Sequence, residues 1–233
     1  MSTTVGTSKA NVQRILLEMD SVGAIKQQNY YDNELWQYYN EALKSLSVEL
    51  MKWNSKLDVQ NSTAVFLADA YEDTTTLGAL SVPFLSFALN EKSKPKVFNI
   101  SQADYPRMSK AEESEIDTWE NETSADSGIP DKFYLRGLKL YIHPRAKDST
   151  TVKFYYNPLR QIVNDSSTMP WDDLFNGAIE NFVIARSRMR AELASYSPSL
   201  DVTLHDNLRK AAWDVIYQRE GFNLNFDDGC GWD

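Results

Sequence analysis

The chain has 233 residues, 42% of them hydrophobic and 12% aromatic, which is enough apolar material for a real core and excludes a disordered chain. Its 33 acidic residues outnumber 24 basic ones, and the net charge of -9 argues against a sequence-independent nucleic-acid binder that works by neutralising phosphates. The longest apolar stretch, Ser81 to Leu89, contains a serine and a proline and falls well short of the roughly 18 residues that span a bilayer, so no membrane anchor is expected.

The N-terminus, "MSTTVGTSKANVQ", lacks the charged-then-apolar order of a secretory signal, which predicts folding in a cytosol. In that setting the sequons at Asn61, Asn99, Asn121 and Asn164 read as chance, and the single cysteine, Cys230, has no internal disulfide partner. Val12, Ile15, Leu16 and Met19 predict a first helix over about Ser8 to Asp20. A stronger one starts at the cap Asp32, where Leu35, Tyr39, Ala42, Leu46, Leu50 and Trp53 form an unbroken stripe that must pack on other helices.

From Leu57 the pattern shortens. "TAVFLADAY" and "VPFLSFALN" read as strands, followed by a turn at "NEKSKPK". The acidic run "KAEESEIDTWENETSADSG" reads as a helical or irregular excursion. "KFYLRGLKLYIHP" then reads as one strand, with Leu138, Leu140 and Ile142 on one side, and "VKFYYNP" as its hairpin partner, with Val152, Phe154 and Tyr156 aligned. Helix returns at Pro170 with Leu174, Ala178, Phe182, Ala185, Met189 and Leu193, and "SYSPSLD" is expected to end it. A last helix is predicted over about Thr203 to Arg219, before the tail "FNLNFDDGCGWD".

These elements predict an α+β, mostly helical class: a helical bundle from the N- and C-terminal helices with an inserted β-rich module projecting from it. The expected divisions are residues 1–56 and 166–220 for the helices, 57–165 for the β-rich module with its acidic excursion, and 221–233 for an extended tail.

No catalytic constellation is expected. His143 and His205 are isolated, and with one cysteine they build no zinc spacing; neither a phosphate-binding glycine loop nor a nucleophile elbow occurs. The expectation is therefore no enzyme, no metal and no cofactor. Glu112, Glu113 and Glu115 read as channel or surface electrostatics, with an acidic-site, metal-dependent hydrolase that depends on Glu112, Glu113 or Asp117 as the alternative. Arg186, Arg188 and Arg190 read as inter-helix or inter-subunit ion pairs, since Arg186 and Arg190 share a helix face and Arg188 does not. Tyr30, Tyr31, Trp36, Tyr38 and Tyr39 exceed what one buried stripe needs, a signature of protein contact. In the tail, Phe222, Leu224 and Phe226 alternate with asparagines and Trp232 follows; these anchors dock in a neighbouring subunit or portal, or fold back on their own domain.

"YYDNELWQYYNEALKSLSVEL", "FYLRGLKLYIHPRAKDSTTVKFYYNP" and "MPWDDLFNGAIENFVIARSRMRAE", in that order and covering most of Tyr30 to Glu192, resemble the head-to-tail adaptor (connector, neck, head-completion) proteins of tailed bacteriophages. The resemblance implies a ring of identical subunits, commonly a dodecamer, made in the host cytoplasm and placed in the neck of the virion. Its partners would be itself, the portal protein and tail or nozzle proteins, with double-stranded DNA passing through unbound. Because duplex DNA carries about one negative charge per 1.7 Å, an acidic lining suits such a conduit. Ring closure also requires two different patches to meet, which a tail or β module can supply. The acidic excursion from Ala111 to Asp126 and the apolar tail have no counterpart in that family pattern. A monomeric protein-binding module is a further alternative.

Overall fold

A computed structural model of the chain describes residues 3–22, 32–68, 70, 77, 80, 83–90, 92–119, 127–161, 165–191 and 198–220. In chain order the elements are α1 (Val5–Val22), α2 (Asp32–Lys52), β1 (Gln60–Phe66), β2 (Phe84–Phe87), β3 (Val97–Asn99), β4 (Ser109–Lys110), α3 (Glu113–Trp119), β5 (Ser127–Gly128), β6 (Lys132–Arg136), β7 (Lys139–His143), β8 (Arg145–Ala146), β9 (Thr150–Pro158), α4 (Asn176–Ala191) and α5 (Pro198–Glu220). They divide into a helical unit, Met1–Asp58 with Leu159–Asp233, and a β unit, Val59–Pro158.

The expected mostly helical class does not hold. Among the described residues, nine strands in three sheets stand beside five helices, so the fold is α+β with its helices and sheets largely segregated. Part of the discrepancy arises because β3, β4, β5 and β8 are only two or three residues long, too short to display the alternation by which strands are recognised, and part because one expected strand is two, β6 and β7.

In the helical unit, Val12 and Leu16 of α1, Leu35, Tyr39, Ala42, Leu43 and Leu46 of α2, Ile179, Phe182 and Val183 of α4, and Leu208, Ala212 and Ile216 of α5 are buried in one core. Their spacing of three and four places each set on one helix face, and each large side chain so buried contributes about 1.5–3 kcal/mol. A polar network crosses this core. The hydroxyls of Ser8 and Tyr39 lie 2.8 Å apart, Ser8 Oγ donates to Glu180 Oε1 at 2.6 Å, and Asn11 donates to the other oxygen of Glu180 at 2.9 Å. The network ties α1, α2 and α4 together, and burial pushes the Tyr39 phenol well above its ordinary pKa. At the start of α1 the Gly6 N–H donates to the Asp165 carbonyl at 2.8 Å, where an added Cβ would meet that oxygen at 3.1 Å, so glycine permits the approach.

The chain leaves the helical unit after Asp58 and returns at Leu159, and both crossings are pinned within that unit. Arg160 Nε donates to the two Asp58 carboxylate oxygens at 2.9 and 3.2 Å, its terminal NH2 group adds a further contact, and its backbone N–H donates to Ser47 Oγ at 3.1 Å. Asp58 is only 7% exposed. Burial is the largest influence on its carboxyl and raises its pKa, with the Arg160 guanidinium opposing the rise.

In the β unit, β9 is the shared strand. It pairs antiparallel with β1 from Gln60↔Tyr156 to Phe66↔Thr150, and with both β2 and β3. Val152, Phe154 and Tyr156 point into the core as expected, beside Ala64, Phe66 and Val97. Phe87 meets Phe133 and Phe154 edge-on at 5.2 and 5.9 Å. Asn99 is fully buried, its side chain donating to the Pro130 carbonyl and accepting from the Ser101 N–H, so this sequon is structural in the folded chain.

The expected single strand "KFYLRGLKLYIHP" is instead a complete hairpin. β6 and β7 pair from Lys132↔His143 to Arg136↔Lys139 around Gly137 and Leu138. Gly137 has φ +62, the positive value a tight hairpin asks of its first turn residue. Leu138 is consequently a turn residue, 51% exposed, while Leu140 and Ile142 are buried. β9 finds its partners elsewhere in the unit.

Removing Arg160 would strand a buried carboxylate. Arg160→Ala is expected to lower the unfolding free energy by about 3 kcal/mol near neutral pH, read by denaturant titration. A raised folded-state pKa makes the Asp58 contribution largest below the unfolded Asp value and lost as pH rises through the folded one, so the mutational loss should shrink toward pH 4. A loss that is constant across pH would contradict this account.

Candidate functional site

Among the described residues of the helical unit, a polar constellation lies where α2, α4 and α5 meet. Glu41 and Ser45 are one turn apart on α2, Asp201 and His205 are one turn apart on α5, and Arg186 of α4 lies between the two carboxylates. Arg186 donates one NH2 group to Glu41 Oε1 at 3.0 Å and the other to Asp201 Oδ1. Ser45 Oγ is 2.9 Å from His205 Nδ1, and His205 Nε2 is 3.6 Å from Glu41 Oε1. Phe182, a turn before Arg186, meets the His205 ring edge-on at 5.3 Å. Tyr38 borders the cluster; burial raises its phenol pKa, with Arg186 opposing and Glu41 adding.

Two chemical readings of this cluster can be tested on its geometry. The Glu41–His205–Ser45 order has the outline of a nucleophilic relay, but the backbone N–H groups around Ser45 belong to the α2 ladder and cannot form an oxyanion hole. Glu41 is moreover committed to Arg186. The ligand atoms of Glu41, Asp201 and His205 lie within 4.8 Å of one another, as a metal site would require, yet Arg186 already holds both carboxylates and a divalent cation would have to displace it. What the arrangement does is join three helices through charge-assisted hydrogen bonds.

The residues singled out in the sequence are distributed as follows. Arg186 makes inter-helix pairs within its own chain. Arg188 is half-buried on α4, and Arg190 lies in the same helix. In the β unit, Glu115 pairs with Lys132 and accepts the Glu112 backbone N–H at 3.0 Å, closing the start of α3. The hydrogen bond from Lys132 is the main reason the Glu115 carboxyl is held below its usual range. Glu112 is exposed, and Glu113 opens α3. His143 ends β7 and stacks flat on Trp119, with ring centroids 3.9 Å apart and planes 2° apart, so it joins α3 to the hairpin. Phe222, Leu224, Phe226 and Trp232, together with Tyr30 and Tyr31, lie outside the described residues.

Sequence reading missed Glu41, Ser45 and Asp201 and took His205 as isolated. The available signal was local: two polar pairs at i,i+4, Glu41/Ser45 and Asp201/His205, each on a helix with an apolar opposite face. Compared with known proteins, the chain matches no protein-family model and no curated protein sequence.

If Arg186 locks the helices, Arg186→Met should lower stability by about 1–2 kcal/mol, because two half-buried carboxylates lose their common counter-ion. A double-mutant cycle of R186M with E41Q should give a coupling energy clearly above zero in denaturant melts. Additive effects would show that the two side chains are neighbours without being coupled.

Proposed function

We propose that this chain is a non-enzymatic structural adaptor of the head-to-tail type, forming a ring between a portal and tail components at the neck of a tailed bacteriophage. The observation that carries the non-enzymatic part is Arg186: among the described residues, the constellation that most resembles a catalytic or metal site is occupied by a guanidinium joining α2, α4 and α5. The phage placement is supported by the resemblance of the three sequence segments and by their order. The acidic balance of the whole chain is compatible with DNA passing by without being held.

In this reading Phe222, Leu224, Phe226 and Trp232 are apolar anchors for portal or for an adjacent subunit. Among the described residues the helical core takes its last fully buried side chain from Ile216 of α5, and on that basis a chain ending at Glu220 should fold. Truncation after Glu220 is expected to abolish co-sedimentation with portal while leaving the thermal melt of the free protein nearly unchanged. Full attachment by the truncated chain would remove the tail from the interface. Particle images without a ring at the portal vertex would remove the adaptor reading itself.

A further inference from the structure

The face of the β1–β9–β3 sheet that points away from the core has a composition at odds with the rest of the molecule. Along β9 the inward residues Val152, Phe154 and Tyr156 alternate with Thr151, Lys153 and Tyr155. Lys153 stands opposite Thr63 on one side and Phe98 on the other, and Phe98 is bridged in turn to Arg107. Tyr155 stands opposite Asn61, and its N–H donates to the Lys96 carbonyl, which continues the β3 pairing by one residue. Two adjacent rows thus hold three cations and two aromatic rings, and the outward positions of β1, β3 and β9 carry no carboxylate.

Among the described residues no carboxylate neutralises these cations. The Lys153 ammonium lies 5.3 Å from the Tyr155 ring centroid and the Arg107 guanidinium 5.5 Å from that of Phe98, while the two rings meet edge-on at 6.1 Å. Among the described residues Lys96, Lys153 and Arg107 form no ion pair, in a protein whose acidic residues exceed its basic ones by nine, 33 against 24. Aromatic rings position the charges without cancelling them.

We infer that this sheet face docks an acidic polypeptide segment, whose carboxylates pair with Lys96, Arg107 and Lys153. The rings decide between polyanions. A single-stranded nucleic acid uses aromatic faces as stacking platforms for its bases, and here one face of Phe98 and one of Tyr155 already carry a cation, which a base stacking there would have to displace. A carboxylate needs only the N–H donors, which a cation lying over a ring still presents outward. The inference stands independently of the phage assignment.

The test uses the full chain and a fluorescent peptide of about twelve alternating Glu and Ser residues, with a dT oligonucleotide of matched charge alongside, at low salt. Anisotropy should show peptide binding that weakens roughly tenfold or more in R107S/K153S. The charge-matched control K44S/K210S, at exposed positions on α2 and α5, should change it by less than about twofold. Equal weakening in both double variants, no peptide binding by the native chain, or tighter binding of the oligonucleotide would each overturn the inference. Arg107 is exposed, so if R107S/K153S unfolds, R107E alone must still weaken the peptide by about the same factor.

Discussion

A chain that leaves a helical core, builds about 100 residues of separate structure and returns must bring its two crossing points together, and in this protein the Asp58–Arg160 pair does so. Closing a flexible loop of that length costs about 4 kcal/mol in chain entropy. The pair of β1 with β9 offsets this on the β side, since its register runs directly back toward the crossings. On the helical side, the bidentate contact and the Ser47 hydrogen bond fix Leu159 and the chain after it near the end of α2. Everything in the helical core depends on that closure, because α1 and α2 precede the excursion and α4 and α5 follow it.

Polar side chains in the helical unit serve a common purpose. Ser8, Tyr39 and Glu180 join α1, α2 and α4 inside the core, and Glu41, Arg186, Asp201 and His205 join α2, α4 and α5 nearer the surface. Apolar packing alone tolerates sliding of one helix past another by a turn, whereas a hydrogen bond of defined length does not. Such networks add little net stability after desolvation, but each selects one helix register.

How much of this was readable in the sequence depends on element length. The stripe from Leu35 to Trp53 announced α2 within a residue of its observed end, because five turns give the 3.6-residue period room to show. Pro198 was read as the end of a helix but opens α5, a position where its missing N–H costs nothing. Gly137 carried the signal for the β6–β7 turn and was overruled by the alternation running through it on both sides. The three-helix polar cluster was illegible for a different reason. Ser45 and His205 are 160 positions apart, so only folding makes them partners.

The order in which the strands occur has a bearing on synthesis. β1, β2 and β3 all find their partner in β9, which lies between 51 and 90 residues further along the chain when counted from Asn99 to Thr150 and from Gln60 to Thr150. On the ribosome these apolar segments must wait, unpaired, until the last strand emerges, and α1 and α2 wait longer still for α4 and α5. Translation therefore delivers hydrophobic surface well before the surface that covers it, and during that interval the nascent polypeptide is a natural client for chaperones.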